Sequence, residues 1–194
     1  MSSTPAAQAV IANVEAHYRA IVAAHAHVTI SMIGTSAIKY PSPPRTGDLT
    51  FQNLGMLSFM EDGLGFEHVA LEGTHYRSSM VFAGVPLFED YDRSDSVCSN
   101  NPWSHIASIL VGPTSIGTRF DFTTVSTASR TILLWLAPLP DSLWTSARFE
   151  VDSTTFELKN AKFVYKDGGG FNIDIDPFVR IPPPGHAAFM LKRP

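Results

Sequence analysis

The sequence predicts a mainly β protein: a single-domain antiparallel β-barrel, or alternatively a two-sheet sandwich, with one N-terminal amphipathic helix. From Val28 onward, short runs rich in Val, Ile, Thr and Phe are separated by Gly and Pro, which is typical of all-β folds. Helical periodicity is confined to the N-terminal stretch. A chain of 194 residues suits one hydrophobic core. We expect one domain over 1–194, with a helix at 4–26 packed on a barrel of 27–180 and a Pro-rich extension at 181–194.

The N-terminal helix has a recognisable start and an apolar face. Thr4 can act as N-cap, with Pro5 at the first helical position. One stripe at helical spacing follows, formed by Ile11, Val14, Tyr18, Ile21 and His25. Such a stripe needs a partner surface, so we expect the helix to pack on the barrel.

The remaining chain reads as strands and connections. Strands are predicted near 27–33, 48–52, 56–60, 65–71, 74–82, 106–111, 118–125, 130–137, 147–151, 155–165 and 171–176. The Pro-rich segments 40–48 and 180–186 cannot lie inside a ladder. The stretch between Phe88 and His105 is longer than most loops, and such loops are usually functional or disordered.

Two hairpins can be given a register. A two-residue turn at Glu72-Gly73 would place Ala70 opposite His75 and His68 opposite Arg77. His68, His75 and Arg77 would then share one face of the hairpin.

A five-residue loop from Lys166 to Gly170 would place Phe163 opposite Ile173 and Lys162 opposite Asp174. The apolar residues of both strands then line one face. This assigns the run DGGGFNIDID to a hairpin rather than to a calcium site, because a calcium-binding Gly/Asp repeat needs several copies in register.

Composition excludes several classes of function. Charged residues make up only 16% of the chain and the net charge is -4, so neither a nucleic acid nor an anionic membrane surface is expected as a partner. One cysteine cannot form an internal disulfide. The N-terminal residues lack a secretory pattern, and no apolar run approaches the ~18 residues of a membrane span. These observations predict a cytoplasmic location.

The long loop is the first candidate site. It offers carboxylates, a guanidinium, an imidazole and two large aromatic rings, in Tyr91, Asp92, Arg93, Asp95, Trp103 and His105. A carboxylate close to Arg and His beside an indole has the parts for proton transfer to a bound ligand. The alternative is ordinary turn chemistry with solvated carboxylates.

The hairpin face of His68, His75 and Arg77 is the second candidate. Three polar titratable side chains are costly on a buried face unless a ligand or partner satisfies them. If that face is exposed, this argument disappears. The pair His25 and His27 does not supply the three or four ligands that a metal needs, so no metal is predicted. The scattered glycines form no phosphate-binding pattern, and no cofactor is expected.

Thirteen Phe, five Tyr and three Trp indicate an aromatic-lined cavity that holds a small hydrophobic or aromatic molecule. Our first hypothesis is a cofactor-independent isomerase, cyclase, dehydratase or other lyase. Asp92, Asp95, His105, His68 and His75 would be catalytic, and Tyr91, Arg93, Trp103 and Arg77 would bind substrate. The alternative is a lectin-like sandwich in which Trp103 stacks on a sugar held by Asn100, Asn101, Asp92 and Asp95. A third hypothesis is a self-associating homo-oligomer.

Overall fold

A computed structural model describes most of the chain. The described residues are 5–39, 43–52, 55–62, 67–72, 75–82, 85–92, 102–111, 122–128, 131–136 and 143–189. Within them the helices are α1 (Pro5–Arg19), α2 (Thr35–Lys39) and α3 (Pro102–Leu110), and a 3-10 turn spans His186–Phe189. The strands are β1 (Ala23–Gly34), β2 (Arg45–Gln52), β3 (Met56–Glu61), β4 (Glu67–Glu72), β5 (His75–Phe82), β6 (Val85–Asp92), β7 (Phe122–Ala128), β8 (Thr131–Leu136), β9 (Trp144–Asp152), β10 (Leu158–Tyr165), β11 (Gly169–Ile175) and β12 (Val179–Arg180).

The described strands form one antiparallel sheet. Its order is β6-β5-β4-β3-β2-β1-β11-β10-β9-β8-β7, with β12 paired to β1. Two meanders therefore meet where β1 pairs with β11, and β6 and β7 are the outermost strands of this order. The mainly β, antiparallel fold with an N-terminal helix is confirmed. Over the described residues the sheet is open, rather than a closed barrel or two stacked sheets.

One face of the sheet carries the core, and we call it the inner face. Along β1 the buried residues alternate with more exposed ones, as expected for a strand with one buried face. Helices α1 and α3 contribute to the same core. Residues two apart in a helix lie about 200° apart around its axis. Since Trp103 contacts β3 while His105 contacts β9 and β10, the sheet must curve around α3, and its inner face forms a trough.

The N-terminal helix is shorter than predicted. It ends at Arg19, and residues 23–26 already belong to β1, so the expected bounds of 4–26 are wrong at the C-terminal end; Thr4 lies outside the described residues. Ala24 and Ala26 are buried while His25 and His27 are exposed. This alternation of buried and exposed side chains is that of a strand, and the segment pairs with β2 and β12. Strand pairing therefore outweighs the weak helical preference of residues 23–26.

Both ends of the interval 88–105 belong to regular secondary structure, and residues 93–101 lie outside the described ranges. Strand β6 continues to Asp92, and α3 begins at Pro102. The strand predicted at 106–111 is wrong, because Ile106–Leu110 lies in α3. A short apolar run cannot distinguish a buried strand from a buried helix. The other predicted strands overlap β1–β5 and β7–β11.

Both predicted hairpin registers are shifted by two residues. Ala70 pairs with Arg77 and His68 with Ser79, because the strands continue to the pair Glu72–His75. In the second hairpin Phe163 pairs with Phe171 and Lys162 with Asn172, because Gly169 and Gly170 join the strand. A shift of two leaves every side chain on its predicted face.

The C-terminal segment lies against the sheet as far as Phe189. Ile181 donates a backbone hydrogen bond to the Ala23 carbonyl. The 3-10 turn packs on β3 and β4, and its last residue, Phe189, is buried. This part of the predicted extension therefore adds to the core.

Candidate ligand site in the trough

Helix α3 lies inside the trough. All of its side chains that the structure describes are buried, as is Val111 directly after it: Trp103, His105, Ile106, Ala107, Ile109 and Leu110. Burial of every described side chain is expected of a helix that lies in the interior. The His105 ring stacks on Phe163 at 5.6 Å and meets Trp144 edge-on at 5.6 Å. The helix thus fills space between the two flanks of the sheet.

One end of the trough is closed by α1. The Tyr18 hydroxyl accepts a hydrogen bond from the Leu158 backbone N–H at 2.7 Å. Its ring meets Phe51 and Phe178 edge-on, each with centroids 5.9 Å apart. Burial raises the pKa of Tyr18 well above its ordinary value, so the phenol stays neutral. We call this the closed end.

The opposite end is more open, and we call it the mouth. Ile30 and Phe163 on the inner face are buried, but exposure increases one pair further along the strands. The half-buried inner-face residues there are Met32, Tyr165 and Phe171. They lie at one end because β1, β10 and β11 pair in register: Met32 with Phe171, and Phe171 with Phe163. Burial and nearby Asp167 raise the pKa of Tyr165, which is therefore also neutral.

Strand β6 supplies apolar side chains to the mouth. Tyr76 pairs with Tyr91, and both contribute to or pack against the core. Alternation from Tyr91 places Leu87 on the inner face, where it is 44% exposed. The adjacent Phe88, 51% exposed, points to the opposite, outer face. The mouth is therefore apolar and accessible on this side.

Polar groups also lie near the mouth, on the inner face. Arg45 contacts Glu61, with Nη1 and Oε2 3.3 Å apart, and the Glu61 side chain is only 8% exposed. Further from the mouth, in the row of the sheet that contains Phe59, Ser78 donates a hydrogen bond to Glu89 at 2.9 Å. A ligand entering here would meet an apolar interior with charged and hydrogen-bonding groups at its entrance.

Two predicted site residues lie in the trough. Trp103 and His105 belong to α3, and both are packed against aromatic rings of the sheet. Tyr91 packs against the core from β6. Asp92 is the last residue of β6 and lies opposite His75. Arg93 and Asp95 lie outside the described residues.

The hairpin set lies elsewhere. His75 and Arg77 are on the outer face, where both approach Asp90: His75 Nδ1 is 4.0 Å from Oδ1 and Arg77 Nε is 3.5 Å from Oδ2. His68 lies opposite Ser79 in the β4–β5 ladder. The argument from a buried polar face does not hold for His75 and Arg77, because that face is exposed. The structure does not bring these residues together with Trp103 and His105.

Sequence reasoning missed the residues at the mouth. Arg45 could have been found, since Arg45, Leu49 and Phe51 lie on one face of a period-two strand. Leu87 could not, because no strand was predicted between residues 82 and 106, where β6 lies. In the described ranges, no group of three His, Cys, Asp or Glu side chains could hold a metal ion. None of the helices described there is long and apolar enough to cross a membrane.

No protein-family model and no curated protein matches the sequence, but solved structures match the fold. A DUF1329 family protein from Desulfovibrio piger has a TM-score of 0.55 and 8% identity, covering 98% of this chain and 100% of that one. A putative outer membrane lipoprotein-sorting protein domain from Vibrio parahaemolyticus has a TM-score of 0.53 and 9% identity, covering 94% and 97%. A LolA superfamily protein from Nitrosomonas europaea has a TM-score of 0.50 and 9% identity, covering 95% and 97%.

This likeness in fold corrects two expectations. The predicted isomerase, cyclase or dehydratase function, and its lectin-like alternative, are wrong: the fold is shared with a lipoprotein-sorting domain and a LolA superfamily protein. The predicted cytoplasmic location is also wrong by this comparison, since the Vibrio domain is described as an outer membrane lipoprotein-sorting one.

Proposed function

We propose that the protein is a lipid carrier that holds an acyl chain at the mouth of its trough. The observation that carries this proposal is an open, curved sheet with an apolar inner face, closed at one end and lined by accessible apolar side chains at the other. The likeness to a lipoprotein-sorting domain supports it. Catalysis and self-association stay predictions that this function does not require.

The affinity for an acyl chain would come from burial of apolar surface, which requires no particular direction of contact. Apolar surface removed from water contributes roughly 25 cal/mol per Å², so a slim acyl chain gains affinity along its length without specific polar contacts. The Arg45–Glu61 pair stands at the mouth, where the polar end of an amphiphile would remain hydrated. The trough therefore favours a molecule with one long apolar end.

The direct test is titration of a fluorescent fatty acid into protein stripped of bound lipid. We expect saturable binding that unlabelled fatty acid displaces. Leu87→Asp places a charge on the inner face of the mouth and removes apolar contact, which should weaken binding about tenfold. Phe88→Asp is the matched control: it changes the next residue on the same strand, at similar exposure but on the outer face, and should leave affinity unchanged.

Two results would count against a carrier. One is the absence of saturable binding by the lipid-free, folded protein. The other is equal loss of affinity in Leu87→Asp and Phe88→Asp, since that would separate binding from the inner face. Thermal unfolding of both variants checks that neither result reflects a loss of fold.

A further inference from the structure

Exposed apolar side chains surround the mouth. Ile38 is 81% exposed on α2, which follows the mouth end of β1. Leu143 is exposed directly before β9, and its carbonyl accepts a hydrogen bond from the N–H of Lys166 after β10. On the β6 flank, Val85 and Leu87 are exposed on the inner face. We call Ile38, Val85, Leu87 and Leu143 the rim.

The short helix that carries Ile38 is held firmly in place. Thr35 donates its backbone N–H to the Gly168 carbonyl at 3.2 Å and its hydroxyl to the Asp167 carbonyl at 3.0 Å. Gly34 has a φ of 59°, and a Cβ there would lie 2.0 Å from the Gly168 oxygen. The glycine run of the β10–β11 turn thus lets α2 approach closely. Ile38 is therefore displayed to solvent by a fixed support.

Charges near the rim are balanced. The described side chains at this end include the cations Lys39, Arg45 and Lys166 and the anions Glu61, Asp62 and Asp167. Balanced charge gives no net attraction to an anionic surface, in agreement with the net charge of -4 of the sequence. An exposed apolar rim of balanced charge suits a bilayer of zwitterionic lipid, which it can enter by burying apolar side chains.

We propose that the rim docks on the surface of a zwitterionic lipid bilayer, so that the mouth opens directly into the apolar layer from which an acyl chain is taken up. The inference rests on the proposed carrier function. Lipid is the favoured occupant, since the rim residues Val85 and Leu87 lie on the same inner face as the apolar core and the charges around the rim are balanced. A protein partner would use the same side chains, and the experiment separates the two.

The test is co-flotation with phosphatidylcholine vesicles. Wild type should bind, with little change between about 0.05 and about 0.5 M salt, because apolar insertion is not screened. Ile38→Asp and Leu143→Asp should each weaken binding about tenfold. Val179→Asp is the matched control, since Val179 is 54% exposed but lies at the closed end, and it should bind as wild type does.

A spectroscopic readout places the rim in the bilayer. In a Cys98→Ser background, an environment-sensitive dye on Ile38→Cys should shift to the blue when vesicles are added. The same dye on Val179→Cys should not shift. Equal shifts at both positions, or none at Ile38→Cys, would refute docking through the rim.

The proposal that the rim docks on a bilayer and the proposed carrier function can each be refuted without the other. Ile38 lies on α2, outside the trough, so Ile38→Asp should bind soluble fluorescent fatty acid with wild-type affinity. If wild type binds fatty acid but not vesicles, the docking proposal is wrong and the carrier function stands. If it binds vesicles but not fatty acid, the carrier function is wrong and docking stands. If wild type instead forms a lipid-free dimer that Ile38→Asp dissociates, a second copy covers the rim and the membrane proposal is wrong.

Discussion

The indole of Trp103 stacks on the ring of Phe59, with centroids 4.2 Å apart and planes inclined by 20°. This contact fixes α3 to the β3 flank of the trough. Two residues later, His105 fixes the helix to the β10 flank through Phe163. The trough and the helix inside it are therefore one packed unit, and the contacts on each flank can be tested separately.

Trp103→Ala should destabilise the protein by about 3–5 kcal/mol, the usual cost of removing a large buried aromatic side chain. A double-mutant cycle with Phe59→Leu should return a coupling of about 1 kcal/mol for the stacked pair. Urea denaturation followed by circular dichroism measures both. Trp135→Ala is the control, since Trp135 is half-buried and lies near Arg148; a larger loss there than at Trp103 would contradict the assignment of the core.

Tyr18→Phe tests how the closed end is held. The hydroxyl is buried and accepts the Leu158 N–H, so its removal leaves a buried donor unsatisfied at a cost of about 1–3 kcal/mol. Hydrogen exchange at the Leu158 amide should accelerate more than the global loss of stability explains. Unchanged exchange at that amide would show that the bond contributes nothing to α1 packing.

Much of the fold could be predicted because apolar and polar residues alternate in the sequence of any strand that buries one face. The face shared by His75 and Arg77 was predicted correctly even with the register shifted by two, since such a shift preserves faces. Helix α3 could not be predicted because it is only nine residues long, and its apolar run Ile106–Leu110 reads equally well as a strand.

The candidate site was less predictable, since it depends on how the strands and α3 pack together in three dimensions. Trp103 and His105 were identified from residue type, as members of a polar loop, whereas the structure packs both among aromatic rings. The mouth depends on where several strands end together and on which residues α3 covers. No local pattern in the sequence encodes either, so Leu87 and Ile38 could be recognised only from the pairing and exposure.

Gly34→Ala should destabilise the protein by more than the ~1–2 kcal/mol of a left-handed residue, because the new Cβ would also collide with the Gly168 carbonyl. We further expect weaker vesicle binding, since α2 would move and carry Ile38 with it. Gly185→Ala is the control, as a Cβ there meets nothing within 4 Å. Thermal unfolding and flotation measure the two effects, and equal stability of the two variants would refute the close approach.

His17 should make stability depend on pH. Its side chain is largely enclosed at the closed end, with Nε2 3.7 Å from Glu157 Oε1. Burial lowers the pKa of His17 below 6.5, the Glu157 carboxylate opposes this, and Arg180 lowers the pKa further. The unfolded chain therefore binds the proton more readily, so stability should fall as pH drops from 6.5 towards the folded pKa of His17.

Urea denaturation across this pH range measures the effect. The free energy of unfolding should change less steeply with pH for His17→Leu than for wild type. A His17→Leu slope equal to that of wild type would exclude His17 as the source.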